Sequence, residues 1–299
     1  MKYVLFCLLT TLTVTHSYTQ TITPAGMQLL EKIKTELGKQ KGVFALAFTD
    51  LQTREQIVWN GTETFHAAST MKTPVMIEVF KQVAAGKFSL TDSIVIKNEF
   101  KSIVDSSVFK LNPADDSQQE LYKQVGTKLP LSELVYQMII MSSNLATNIL
   151  MEMVNGKKVT QTMRDLGAKD ILVLRGVEDQ KAYDKGLSNT TTAYDLMLIF
   201  NLMAEGKIIN KKACDDMIKI LLDQKHNTLI PAFLPKEVKV AHKTGTITGV
   251  HHDSGIVFLP DGRKYTLVIL SKKLEDEPGA TVAMARVSEM IYQYVVSKP

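Results

Sequence analysis

The sequence predicts an α+β fold in which one sheet is assembled from both ends of the chain and a helical lobe is inserted between them. Three observations carry this. Short apolar or alternating runs cluster near the start ("VFALAFTD", "QIVWN") and return near the end ("EVKVAHKTGT", "SGIVFLP", "KYTLVIL"). The middle, from about 66 to 225, has helical periodicity. The chain's 299 residues lie close to the point, roughly 250–300 residues, at which single cores stop growing, so one large domain or two lobes sharing an interface is expected. The expected division is an export leader over 1–20, an α/β lobe from 21–62 and 226–299, and a helical lobe over 63–225.

The elements follow in order. "MKYVLFCLLTTLTVTHSYTQ" has a Lys, an apolar stretch too short to span a bilayer, and then small polar residues. That is the order of a secretory signal, with Thr15-x-Ser17 as the cleavage pattern, so the mature protein is expected to be periplasmic or secreted, without stable membrane association. Residues 25–41 predict a helix, with Leu29, Ile33 and Leu37 on one stripe. The first two strands form a hairpin through "LQTRE", and Asn60-Gly61 ends it. "LNPADDSQQE" is a polar loop inside the helical region. The late strands are joined in part by a "PDGR" turn, and "ATVAMARVSEMIYQYVV" closes the chain as a helix.

Composition excludes several classes. With 45% hydrophobic and 22% charged residues and a mean hydropathy of zero, the chain is ordinary globular protein. A net charge of +4 arises from scattered residues rather than a basic run, so nucleic acid is not an expected partner. Once the leader with Cys7 is removed, Cys214 has no cysteine to pair with, and it shares a helical stripe with Met217, Ile218, Leu221 and Leu222, as a core residue would. Histidines at 16, 66, 226, 242, 251 and 252 lack ligand spacing, and His251 and His252 would face opposite sides of a strand. No metal and no cofactor is expected.

Chemistry enters at "FHAASTMKTPVMIEVF", residues 65–80. Ser69 stands at or just before a first helical turn and resembles a capping serine. A capping box would place Glu or Gln three residues on, but Lys72 occupies that position, where the helix dipole disfavours a cation. A lysine one turn from a serine can instead accept the hydroxyl proton, while free N–H groups at the helix start face a developing oxyanion.

Two further motifs join it. "MSSNLATNIL" carries Ser142-Ser143-Asn144 after an apolar run, and "VAHKTGTITG" carries Lys243-Thr244-Gly245 on a predicted strand. In this order SxxK, SxN and KTG resemble the signatures of penicillin-recognising serine enzymes, and the whole mature chain is most similar to class A β-lactamases. The resemblance implies a five-stranded antiparallel sheet flanked by helices, an all-helical lobe and an active site between them. It implies a small β-lactam as substrate and, by motif, a role for each residue. Ser69 would be the nucleophile and Lys72 its proton acceptor, with its pKa lowered in a dry site near cations such as Lys243. Ser142 would pass a proton to the leaving nitrogen, Asn144 would bind the substrate's side-chain amide, and Lys243 and Thr244 would attract its carboxylate. Gly245 would leave room for close backbone approach, and the N–H groups of Ser69 and Thr246 would form the oxyanion hole. A monomer is expected.

The departures are specific. Ser143 stands where the family usually has Asp. In "LRGVEDQKAYDKGLSNTTTAYDL", Arg175 is followed by Glu178 at the third position rather than the second, Ala182 stands where the family has Asn, and Asn189 replaces the Asp that closes the loop on the arginine. Glu178 is nevertheless the expected base for deacylation, with a surface carboxylate as the alternative. A D-alanyl-D-alanine peptidase or esterase of the same fold, or a sensor or sink that stays acylated, are the competing readings.

Overall fold

Thr23 opens the first helix, α1 (Pro24–Leu37): its hydroxyl accepts from the Gly26 N–H at 3.0 Å, and Pro24 occupies the first turn, where a missing donor costs nothing. The helix stops short of residue 41 because "GKQK" offers no apolar side chain to continue the buried stripe of Leu29, Ile33 and Leu37. The computed structural model describes residues 22–298, and the expected leader and its Thr15-x-Ser17 site lie outside them.

Five strands form the main sheet: β1 (Val43–Asp50), β2 (Gln56–Trp59), β3 (Lys239–Ile247), β4 (Val250–Phe258) and β5 (Lys264–Lys272). Their order is β2-β1-β5-β4-β3, antiparallel at every pairing. The β1–β5 pairing, from Val43 opposite Lys272 to Asp50 opposite Tyr265, joins the two ends of the chain, and β3 is left as an edge. Both faces are covered, which is why β1 is apolar from Val43 to Phe48 rather than alternating. Phe44, Leu46 and Phe48 pack outward with Leu267 and Ile269 against α1 and the last helix (Glu277–Val296). Ala45 and Ala47 face inward with Val268 and Leu270, their small side chains admitting helices close to the sheet. Each large, fully buried side chain such as Phe48 contributes on the order of 1.5–3 kcal/mol.

Between the strands run α2 (Lys72–Ala84), α3 (Leu131–Ile140), α4 (Asn144–Val154), α5 (Gly156–Asp165), α6 (Gln180–Asp184), α7 (Ala193–Ala204) and α8 (Lys211–Leu222), and the chain ends on α9 (Glu277–Val296). α2 is buried along most of its length and is surrounded by α3, α4, α5 and α8. α7 lies on the inner face of the sheet against β1, β4 and β5, so one continuous apolar core links the helices to the sheet. Cys214 is fully buried in α8, where its thiol donates to the Ile208 carbonyl. His252 is fully buried and His251 partly open, on opposite faces of β4. Among the described residues no group of side chains could hold a metal ion, and no helix is long and apolar enough to cross a membrane.

Candidate active site

Ser69 lies in a 3₁₀ turn, Ala68–Met71, that leads directly into α2. The approach is fixed from both sides: Phe65–His66 pairs with Thr190–Thr191, the Ala67 N–H donates to the Asn189 carbonyl at 2.8 Å, and the Ala68 N–H donates to His66 Nδ1 at 3.0 Å. Ala68 adopts a left-handed φ of 44°, a strained conformation that a non-glycine residue keeps only where its surroundings enforce it. The β3 edge closes the other side. A Cβ on Gly245 would stand 3.1 Å from the N atoms of Ser69 and Thr70, so the glycine lets strand and turn approach.

Lys72, fully buried on the first turn of α2, directs its ammonium across the lobe. It donates to the Ser142 carbonyl at 2.6 Å, Asn144 Oδ1 at 2.9 Å and Ser142 Oγ at 3.2 Å. Lys243, equally buried on β3, donates to the same Ser142 Oγ at 3.0 Å and to the Thr244 carbonyl at 2.8 Å. Ser142 itself is left-handed, with φ 59°, and its hydroxyl lies between the two lysine nitrogens. Burial brings Lys72 down to about 7, against the opposing pull of Asp116 and Glu178. The cation–cation effect expected at Lys72 acts on its neighbour instead: burial first, and then the Lys72 charge, push Lys243 well below the usual lysine range. Asp253 opposes the shift at Lys243, as Asp116 and Glu178 oppose that at Lys72.

Asn144 connects this pair to Glu178. Its Oδ1 accepts from Lys72 and its Nδ2 donates to Glu178 Oε1 at 2.8 Å. The extra residue between Arg175 and Glu178 is absorbed by a left-handed Glu178, with φ 61°. Burial raises the Glu178 pKa, the Asn144 hydrogen bond lowers it, and the nearby charges of Asp116 and Asp115 raise it further. The loop around it is closed without the family's ion pair. Asn189 Oδ1 accepts from the N–H groups of Leu174 (2.8 Å) and Arg175 (3.2 Å), and its Nδ2 donates to the Arg175 carbonyl (2.9 Å). The Arg175 guanidinium turns to the carbonyls of Leu187 and Gly176. Asn148 grips the backbone of Val177 through both its oxygen and its nitrogen, and a Cβ on Gly176 would meet Asn148 Oδ1 at 2.2 Å. Asp179, beside Glu178 at the edge of the cleft, is engaged by the protein itself: its carboxylate accepts from Ser102 Oγ and the N–H groups of Ile103 and Ala182.

Two cavities meet at Ser69, Asn144 and Thr246. One, of about 350 Å³, extends over Glu178, Tyr183 and Ile247. The other, of about 330 Å³, extends over Ser142, Thr244, His226 and His251. All three motifs therefore border one cleft. Asp116, which the sequence marks only as part of a polar loop, also borders the site. It is 3% exposed and its carboxylate accepts from the N–H groups of Asn144 and Leu145. The "ADD" triplet has no spacing relation to any motif, so only the fold could reveal the contact.

The chain is similar to known proteins over most of its length. The chain is 22% identical over 279 residues to the β-lactamase VEB-1 of Pseudomonas aeruginosa, covering 89% of this chain and 90% of that one. Among solved structures it is similar to a β-lactamase from Sphaerobacter thermophilus, at a TM-score of 0.77 and 25% identity, over 91% of this chain and 98% of that one. It is also similar to PBP-A, at a TM-score of 0.77 and 25% identity, over 90% and 96%. The model of the beta-lactamase enzyme family matches residues 28–295, and the chain belongs to that family.

Proposed function

We propose that the protein is a class A-type serine β-lactamase that opens β-lactams through an acyl-enzyme on Ser69. The observation that carries this reading is the continuous chain of hydrogen bonds Lys243–Ser142–Lys72–Asn144–Glu178 along the cleft that holds Ser69. Ser69 Oγ attacks the lactam carbonyl, and its proton passes to neutral Lys72, a form that burial makes accessible near neutral pH by bringing the lysine down to about 7. The N–H groups of Ser69 and Thr246 receive the oxyanion. As the C–N bond breaks, Ser142 protonates the leaving nitrogen and is reprotonated from Lys72. Lys243 and Thr244 draw the substrate carboxylate to the far side of the cleft, Gly245 keeps β3 close, and Asn144 receives the side-chain amide. Glu178 then takes a proton from water, which attacks the ester and frees Ser69.

A peptidase reading draws on the likeness to PBP-A, one of whose variants has been solved as an acyl-enzyme complex with penicillin G. The positioned Glu178 carboxylate favours hydrolysis over a permanent adduct. Export to the periplasm or beyond, as a monomer, completes the proposal. The deciding experiment is turnover of a chromogenic cephalosporin by the purified protein, with intact mass read in parallel. Multiple turnovers support the reading. A stoichiometric burst that leaves a stable adduct on Ser69, or release of D-alanine from a D-alanyl-D-alanine peptide in place of lactam turnover, refutes it.

A further inference from the structure

Asp116 stands just after the Pro113–Asp115 turn, and its carboxylate is engaged wholly inside the protein. Oδ2 accepts from the Asn144 N–H at 2.8 Å, the Leu145 N–H at 2.9 Å, the Tyr122 hydroxyl at 2.9 Å and the Ser143 hydroxyl at 3.4 Å, while Oδ1 accepts from the Gln118 N–H at 2.9 Å. The first two donors are N–H groups of the first turn of α4, which have no partner within the helix and lie at the positive end of its dipole. Ser143, the residue of the second motif best placed to neutralise that end, is uncharged, and its hydroxyl already caps the Ala146 N–H at 3.2 Å. The counter-charge of α4 therefore comes from a loop 28 residues upstream.

The site depends on that end of α4. Asn144 touches Lys72 with one end of its amide and Glu178 with the other, so the anchor on its backbone determines how far apart the two proton-handling groups stand. The groups facing Asp116 are Lys72 from α2, Glu178 from the 175–189 loop, Tyr122 from the Gln119–Gln124 turn and the adjacent Asp115, with Lys243 of β3 beyond Lys72. Among these charges Asp116 is the leading opposing charge on Lys72, and it adds to the rise at Glu178.

We propose that Asp116 is a positioning residue of the serine centre: its carboxylate supplies, from outside the three motifs, the anion that Ser143 does not provide, and so fixes Asn144 between Lys72 and Glu178. The proposal rests on the Ser69 acyl-enzyme reading for its kinetic consequences but not for its structural ones.

The test is a cycle of parent, Asp116→Asn, Ser143→Asp and the double variant, read by thermal midpoint and by the rate of Ser69 acylation with a fluorescent penicillin from pH 5 to 9. Asp116→Asn is expected to lower the midpoint and to slow acylation about tenfold or more, since small misplacements of a catalytic group can cost about a hundredfold. It is also expected to move the acid limb of the rate to lower pH, because Lys72 and Glu178 both lose an anion that raises them. Ser143→Asp alone sets two carboxylates against each other and lowers the midpoint, whereas in the Asp116→Asn background it restores midpoint, rate and limb. This reversal of sign is the signature of a replaced charge. Additive midpoints, or an acid limb that Asp116→Asn slows without moving, overturn the proposal. If Asp116→Asn does not fold, recovery of folded protein by adding Ser143→Asp supports it and failure to recover overturns it. A parent protein that is never acylated refutes the preceding functional reading alone, because the midpoint cycle still decides the role of Asp116.

Discussion

Glu178→Gln separates the two halves of the proposed reaction. The substitution keeps an oxygen where Asn144 Nδ2 donates at 2.8 Å, so the bridge to Lys72 survives while the proton-accepting carboxylate is lost. A positioned base of this kind contributes about 10²- to 10⁴-fold to proton transfer. At about 1.4 kcal/mol per decade, the deacylation barrier should rise by about 3–6 kcal/mol. Acylation should respond differently. The Glu178 charge opposes the effect of burial on Lys72, so its removal lowers the lysine pKa further and leaves more neutral lysine at acidic pH. The assay is quenched-flow intact mass spectrometry with a penicillin: the variant should accumulate the acyl adduct on Ser69 within one turnover while steady-state hydrolysis falls at least about a hundredfold. Asp179→Asn, which removes a carboxylate held by Ser102, Ile103 and Ala182, should lower stability without trapping the adduct. Unchanged steady-state hydrolysis and no adduct in Glu178→Gln would refute the assignment of the base.

Ser69→Ala should abolish labelling by a fluorescent penicillin with an unchanged circular dichroism spectrum, and labelling that persists removes Ser69 as nucleophile. In the parent, the labelling rate should fall about tenfold per pH unit below about 7, where Lys72 becomes protonated, and a flat profile from pH 5 to 8 contradicts a lysine base. Glu55 tests the opposite end of the protein. Burial raises its carboxyl, but hydrogen bonds from Lys298, Thr23 and Tyr294 outweigh that and bring it to about 2 from 4.5. A depressed carboxylate stabilises the fold above its unfolded pKa and loses that contribution as pH falls through the folded one. Glu55→Gln should therefore cost about 3 kcal/mol in urea unfolding at pH 7, with the difference from the parent shrinking between pH 4.5 and about 2. An equal loss at pH 2 and pH 7 would show that the charge is irrelevant. Mature protein from the periplasm should begin near Tyr18, and N-terminal mass analysis that finds Met1 retained on it counts against export.

The sequence alone determined the local elements and the three motifs, because each depends on near neighbours. Hydrophobic period marks β1, α1 and α9 within a few residues, and SxxK, SxN and KTG are short patterns that place their residues within one turn, one helix-entry loop or one strand. What only tertiary structure decided are contacts between segments far apart in the chain. The position of Glu178, displaced by one residue from the family spacing, is settled by the left-handed backbone and the Asn144 amide, neither of which the spacing specifies. Asn189 closes its loop through the backbone of Arg175 rather than by charge, which no pairing of side-chain types would foretell. Asp116 lies in a loop with no periodicity, and a buried carboxylate is told from a solvated one only by the donors that packing brings to it, here the start of a helix 28 residues away.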